Sequence, residues 1–226
     1  MIPKAFLIGL FLACAIGSAS AEPAGPGPGY IMHPEHTQKS PDGSIAIEQY
    51  HKEIDDDWLW QFWIRRDGTM TLLNEEPAGY AAGFRFTNDL QFLVQMQKTG
   101  SGESSLYLYK WGPKGFVPAT KKPLDDLAWA YLKSRPEWRK VRKEPEYHLA
   151  ANLLKGTEEN YRWLGVNWPE NRYILISLSG DADIKGRKRE QTGVVNDWRC
   201  RYDLQKGTFD VPAEFAKGNA KALVPE

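Results

Sequence analysis

Two aspartates separated by one residue, with a glycine three positions on, are the arrangement that opens a calcium loop, and Asp181-Ala182-Asp183-Ile184-Lys185-Gly186 has it. Hard carboxylate oxygens at alternate positions let successive ligands turn toward one ion. Lys185 stands where a ligand belongs, however, and Thr192 replaces the closing bidentate glutamate. Asp181 and Asp183 are therefore a partial metal candidate, and a hairpin loop whose acids neutralise Arg187-Lys188-Arg189 accounts for the same residues. His33 and His36 lie three apart, but the prolines around them hold the segment out of a helix, so that spacing is not expected to converge on a metal. His51 and His148 stand alone. Carboxylate pairs of the kind that hydrolyse glycosides meet in space rather than in sequence, and Asp55-Asp56-Asp57 or Glu158-Glu159 could each supply one member.

Other catalytic signatures are absent. The chain has no Gly-x-Ser-x-Gly elbow, no His-Glu-x-x-His, no phosphate-binding loop and no dinucleotide fingerprint. The sequence calls for no cofactor. Binding chemistry is better represented. Nine tryptophans are present, and Trp111 and Trp138, beside a turn and a proline break, are the ones expected at the surface, where a flat indole stacks on a sugar ring or a peptide. Arg139 and Lys140, with Arg187 and Lys188, could add a basic patch for an anionic envelope polymer, although nearby glutamates dilute it. These six residues are the candidate ligand-binding set. Twenty-nine basic residues balance 29 acidic ones, so bulk charge gives no ground for nucleic acid as a partner.

The elements that must position these residues repeat. Ser40-Pro41-Asp42-Gly43 is a turn signal leading into Ile45-Ala46-Ile47. Thr87-Asn88-Asp89-Leu90 leads likewise into Phe92-Leu93-Val94, and Trp168-Pro169-Glu170-Asn171 into Tyr173 to Ile176. Each apolar strand is followed by a second one, a tight glycine turn and a third: Trp58 to Ile64 with Asp67-Gly68, Leu106 to Tyr109 with Gly112 to Gly115, Trp198 to Leu204 with Gln205-Lys206-Gly207. In this the chain resembles the TolB-type propeller repeats of exported bacterial proteins, over most of 40–118 and 161–212. The resemblance implies four-stranded blade-like sheets and a binding role. Propellers usually close with about four to eight blades, whereas three are visible here. The expected fold is mainly antiparallel β within an α+β class: three blade-like meanders as an open or incomplete propeller, a β-sandwich, or a fragment completed by self-association.

Apolar residues fall on both faces of 58–64, the mark of a central strand covered on both sides. Between the second and third units, Leu124, Leu127, Ala128, Tyr131 and Leu132 follow helical spacing, with Pro123 before them and Pro136 beyond. His148 to Lys155, stopped by Gly156, reads as a second short helix of an insertion spanning about 119–158, and Ala213 to Lys217 as a third, in a C-terminal tail over 213–226. Trp198, Cys200, Tyr202 and Leu204 alternate with charged residues, which places the Cys200 thiol inward as a small hydrophobe.

Residues 1–21 have the three zones of an export signal: Lys4, the apolar run Ala5 to Ile16, and the small-x-small site Ala19-Ser20-Ala21. The run is too short to span a bilayer, and no other run approaches that length. Cys14 offers lipid anchoring as an alternative, although Phe11 stands where a small aliphatic residue is expected. After the cut, 22–39 is a proline- and glycine-rich tether or extended arm, and 40–212 a single β-rich domain. The expected role is that of an exported, periplasmic or secreted, non-catalytic binding or interaction protein, with an envelope protein or polysaccharide as partner. The alternative is a hydrolase built on two carboxylates.

Overall fold

The computed structural model describes residues 25–74, 76–141, 143–154, 171–183 and 192–223. A first sheet is built from β1 (Ile31–Met32), β2 (Gln38–Lys39), β3 (Ile45–Ile54), β4 (Asp57–Arg66) and β5 (Thr69–Leu72). A second contains β6 (Ala82–Phe86), β7 (Phe92–Gly100), β8 (Glu103–Gly112), β9 (Gly115–Pro118), β10 (Tyr147–Leu153), β11 (Tyr173–Ala182), β12 (Thr192–Asp203) and β13 (Thr208–Asp210). Two helices accompany them, α1 (Leu124–Ser134) and α2 (Ala213–Ala222).

The repeated turn is the same object twice. In the first unit Ser40 Oγ donates to Asp42 Oδ1 at 2.7 Å, the Ser44 amide donates to the same oxygen at 3.0 Å, and the Ile45 amide donates to Ser40 Oγ at 2.9 Å. In the second, Thr87 Oγ1 donates to Asp89 Oδ1 at 2.7 Å, the Gln91 amide to that oxygen at 3.0 Å, and the Phe92 amide to Thr87 Oγ1 at 3.0 Å. Gly43 takes φ +73°, and Leu90, its counterpart, is held at φ +57°. A left-handed leucine costs roughly 1–2 kcal/mol, and its side chain packs against the core beneath. Turn residues 168–170 of the third unit lie outside the described residues.

Hydrogen bonds from Ser40 Oγ, the Ser44 amide and Ser44 Oγ lower the exposed Asp42 carboxyl from 3.8 to about 2. Because the folded value is depressed, this contribution to stability is complete above pH 3.8 and is lost as pH falls through about 2. A carbon-detected NMR titration is expected to place Asp42 near 2 and to return it toward the ordinary range in Ser40→Ala. An ordinary midpoint in the intact protein would mean that the turn does not hold in solution.

Each unit then runs as a meander. Ile54 pairs with Asp57 across a two-residue turn in which Asp55 and Asp56 have φ of +49° and +70°. Asp67 and Gly68 repeat that left-handed pair between β4 and β5, the twist that matches a hairpin. The Asp55–Asp57 run, a candidate half of a catalytic pair, thus serves a hairpin tip; Glu158 and Glu159 lie outside the described residues. With β2, β6 and β10 as leading strands, the three meanders are β2-β3-β4-β5, β6-β7-β8-β9 and β10-β11-β12-β13.

The second and third meanders merge into one sheet of order β13-β12-β11-β10-β8-β7-β6, with β9 also on β8. The join is β10, antiparallel to β11 and parallel to β8 through Ala150 opposite Ser104. This corrects the helix expected from His148 to Lys155: 147–153 is a strand. Leu149, Ala150, Ala151 and Leu153 favour a helix, but two flanking edges supply ladder partners, and tertiary pairing overrides propensity. His148, at φ +50°, lies within the register shift between Tyr147 and Ala150.

Two apolar layers hold the sheets. Ile47, Phe62, Phe84, Leu93, Tyr109 and Phe116 join the first sheet to one face of β6–β9. On the opposite face Leu106, Leu108, Ile174, Ile176, Trp198 and Cys200 meet Leu124, Ala128 and Leu132 of α1. Cys200 is buried and free, and burial pushes its thiol well above the usual range. As the pattern predicts, β4 lies between β3 and β5 and buries side chains on both faces, Phe62 on one and Trp63 on the other. Trp58, beyond the cover, stays exposed.

The first and last described segments dock on the sheets. Residues 31–39, expected as tether or arm, lie along β3 through β1 and β2. The C-terminal residues expected as a tail carry α2, whose Phe215 packs on Leu175 and whose Leu223 neighbour bridges to Val195. Where a strand edge lacks a partner, a side-chain amide supplies one. Asn219 receives the Arg199 amide at 2.8 Å and donates to the Arg199 carbonyl at 2.8 Å. Gln49 treats Ala82 of β6 in the same way, accepting at 3.0 Å and donating at 2.7 Å. Covered edges do not template further strands.

Candidate functional site

A cleft of about 580 Å³ opens between the two sheets, within the size range of ligand sites. Its floor follows from strand alternation. Leu93, Gln95 and Gln97 of β7 point toward the first sheet; Leu93 is core, and the two glutamines continue that face as buried polar residues. Tyr107 and Tyr109 stand opposite on β8, in register with Gln95 and Leu93. Phe62, Leu73 and Asn74 form the facing wall, and 76–80 closes one side.

The buried polar groups form one directed chain. Tyr109 Oη donates to Gln95 Oε1 at 2.9 Å, Gln95 Nε2 to Gln97 Oε1 at 2.9 Å, and Gln97 Nε2 to the carbonyls of Tyr80 and Lys98, each at 2.9 Å. A satisfied network of this kind fixes its members' rotamers. Asn74 fixes the opposite wall: its Oδ1 accepts from the Phe62 amide at 2.8 Å, and its Nδ2 donates to the carbonyls of Trp60 and Glu76 at 3.2 and 2.7 Å. Burial raises the Tyr109 hydroxyl to about 12, and Tyr107 is raised by burial and then by Asp125 and Asp126. Both phenols are neutral donors at physiological pH. Lys98 Nζ lies 4.8 Å above the Tyr80 ring, and among the described residues Glu76 is the carboxylate of the lining. Neutral hydroxyls and amides on aromatic walls suit an uncharged polar ligand.

The described members of the set singled out from sequence do not meet at one place. Trp111 faces the first sheet, edge-on to Phe116 at 4.9 Å with the Arg66 guanidinium 4.7 Å from its ring. Trp138 packs beside the α1 core on the opposite face, from the 3-10 turn Pro136–Lys140. Arg139 and Lys140 are exposed on that turn, and Lys140 borders a second hollow of about 470 Å³ beside α2. Arg187 and Lys188 lie outside the described residues. Asp181 contacts His148 Nδ1 through its carboxylate at 2.7 Å. Among the described residues no third donor joins Asp181 and Asp183 as a metal group.

The cleft residues escaped sequence reading because glutamine in a strand looks like its solvent face. Their signal was phase: Gln95 and Gln97 share the parity of Leu93, an inward position. The histidines escaped for a different reason. Pro34 starts a one-turn 3-10 helix, Pro34–His36, in place of an α-helix. The His36 amide donates to the carbonyl of His33, the cap of that turn, at 3.1 Å, and the His33 and His36 rings stand 5.6 Å apart. The expectation that they would not converge is corrected. No family model, curated protein or solved structure matches the chain.

Proposed function

We propose that the protein is an exported, non-catalytic binding module of the cell envelope whose inter-sheet cleft takes an uncharged, hydroxyl-rich ligand, a segment of envelope glycan. The observation that carries this reading is the buried Tyr109–Gln95–Gln97 chain at the cleft floor. Buried amides whose hydrogen bonds are satisfied within the protein hold the cleft floor rigid, and the half-buried Tyr107 and exposed Tyr80 supply flat apolar faces for sugar rings. The export signal at 1–21 supplies the destination, and the TolB-like turn repeat agrees with a binding role. Glycoside hydrolysis needs two carboxyl groups about 5–10 Å apart; among the described residues Glu76 is the carboxylate that lines this cleft, so the described lining does not supply the pair.

Saturation-transfer NMR and calorimetry against a panel of envelope oligosaccharides test the reading. Tyr107→Phe, which removes one hydroxyl, and Tyr80→Ala, which removes an exposed ring, are each expected to weaken binding about 5- to 20-fold, on the order of 1–2 kcal/mol. Trp111→Ala is expected to leave affinity unchanged. Failure of every glycan to saturate the cleft, or perturbations that map elsewhere, would overturn it.

A further inference from the structure

Three of the four histidines in the chain meet on the first sheet, outside the lining of the cleft. His33 and His36 come from the 3-10 turn and His51 from β3. His33 Nδ1 lies 2.6 Å from Glu35 Oε1, and its Nε2 lies 2.5 Å from His51 Nδ1. His33, Glu35 and His36 each offer a ligand atom, and the three atoms lie within 4.8 Å of one another. We propose that His33 Nδ1, the Glu35 carboxylate and His36 bind a divalent late first-row transition ion, with zinc or copper(II) as the fitting class, and that His51 holds the His33 ring from outside the coordination sphere.

The donor set selects that class. Two imidazoles and one carboxylate suit zinc and copper(II), while calcium and magnesium prefer all-oxygen cages. Ligands about 2.0–2.2 Å from a tetrahedral ion stand roughly 3.3–3.5 Å apart. Closure from 4.8 Å or less needs only rotation of side chains that remain partly or fully exposed. Three ligands leave a fourth position for water.

The frame is built to hold such a set. The His33 amide donates to the Gln49 carbonyl at 2.9 Å, and Gln49 Nε2 donates to the His36 carbonyl at 2.9 Å, so both ends of the turn are pinned to β3. The buried Trp60 ring lies 5.0 Å from His33 and 5.6 Å from His36. Trp58 stacks on His51 at 4.6 Å and 23°. A ligating imidazole characteristically gives its second nitrogen to a fixed partner, which orients the ring and tunes its basicity. The short His33–His51 contact provides that partner.

Calorimetry of the untagged protein with zinc chloride, in a buffer that does not chelate, is expected to show one ion per chain. His36→Ala and Glu35→Gln are each expected to weaken it at least tenfold, and His51→Ala by about 10- to 100-fold through loss of the outer contact. His148→Ala, on β10, is expected to match the parent. Copper(II) loading is expected to quench Trp58 and Trp60 fluorescence and to give an electron paramagnetic resonance spectrum with two nitrogen ligands, reduced to one in His36→Ala. Glu35 is exposed, so Glu35→Gln separates loss of a ligand from loss of the fold. Absence of saturable uptake of both ions by protein with normal thermal unfolding overturns the proposal, as does uptake unchanged in Glu35→Gln and His36→Ala.

Discussion

Gln49→Ala is expected to lower the unfolding free energy by about 3 kcal/mol, a fall in Tm of roughly 6–12 °C for a chain of this size. The side chain is fully buried and joins three segments. Its Nε2 donates to the carbonyls of His36 and Ala82, and its Oε1 accepts from the Ala82 amide. Alanine leaves these backbone groups without their partner and opens a void, and each orphaned polar group costs about 1–3 kcal/mol when water does not reach it. Gln49→Glu sharpens the comparison. The carboxylate keeps an acceptor for the Ala82 amide but turns its second oxygen on two carbonyls, so at neutral pH it is expected to lose more than alanine does. Burial without a counter-charge raises that carboxyl in the folded state. The variant's stability therefore falls as pH rises from the unfolded value through the folded one, and is recovered in acid. Chemical denaturation across pH measures both. A Gln49→Ala loss under 1 kcal/mol, or a Gln49→Glu penalty independent of pH, would remove the edge-capping account.

Much of the frame was legible because it is local. Ser40-Pro41-Asp42-Gly43 and Thr87-Asn88-Asp89-Leu90 specify their turns through contacts within five residues, and the Asp67-Gly68 hairpin needs only its own backbone. Cys200 was placed by period two, and α1 by period 3.6. What was not legible depends on the remainder of the molecule. Residues 147–153 carry helix-forming side chains and become a strand because β8 and β11 leave a gap of one strand between them. Gln49, Asn74 and Asn219 look like surface residues until the strand edge each completes is known.

The candidate sites divide the same way. The carboxylate, basic and aromatic candidates among the described residues are scattered over a hairpin tip, a 3-10 turn and opposite faces of a sheet. Side chains that do converge sit where the first sheet meets something else: the cleft where it faces β7 and β8, the histidines where its leading arm folds over β3. Both depend on the packing of one sheet against its neighbours, which no short motif encodes.

Trp198→Ala is expected to cost about 3–5 kcal/mol, the largest loss for a single change on the α1 face. The ring is fully buried on β12 opposite Leu178, within the layer that α1 closes, and Tyr131 of that helix lies 6.2 Å away centroid to centroid. Trp198→Phe is expected to behave differently. The buried indole Nε1 finds no hydrogen-bond partner among the described residues, so tryptophan here carries a donor penalty of about 1–3 kcal/mol. Phenylalanine removes that donor while leaving a smaller void than alanine, and the two effects oppose. Trp198→Phe is therefore expected to unfold within about 1 kcal/mol of the parent, a difference sharper than ring size alone would produce. Urea denaturation of the three proteins decides between them. If Phe is as costly as Ala, Nε1 is satisfied in solution, and the α1 layer admits a polar partner that its apolar lining does not suggest.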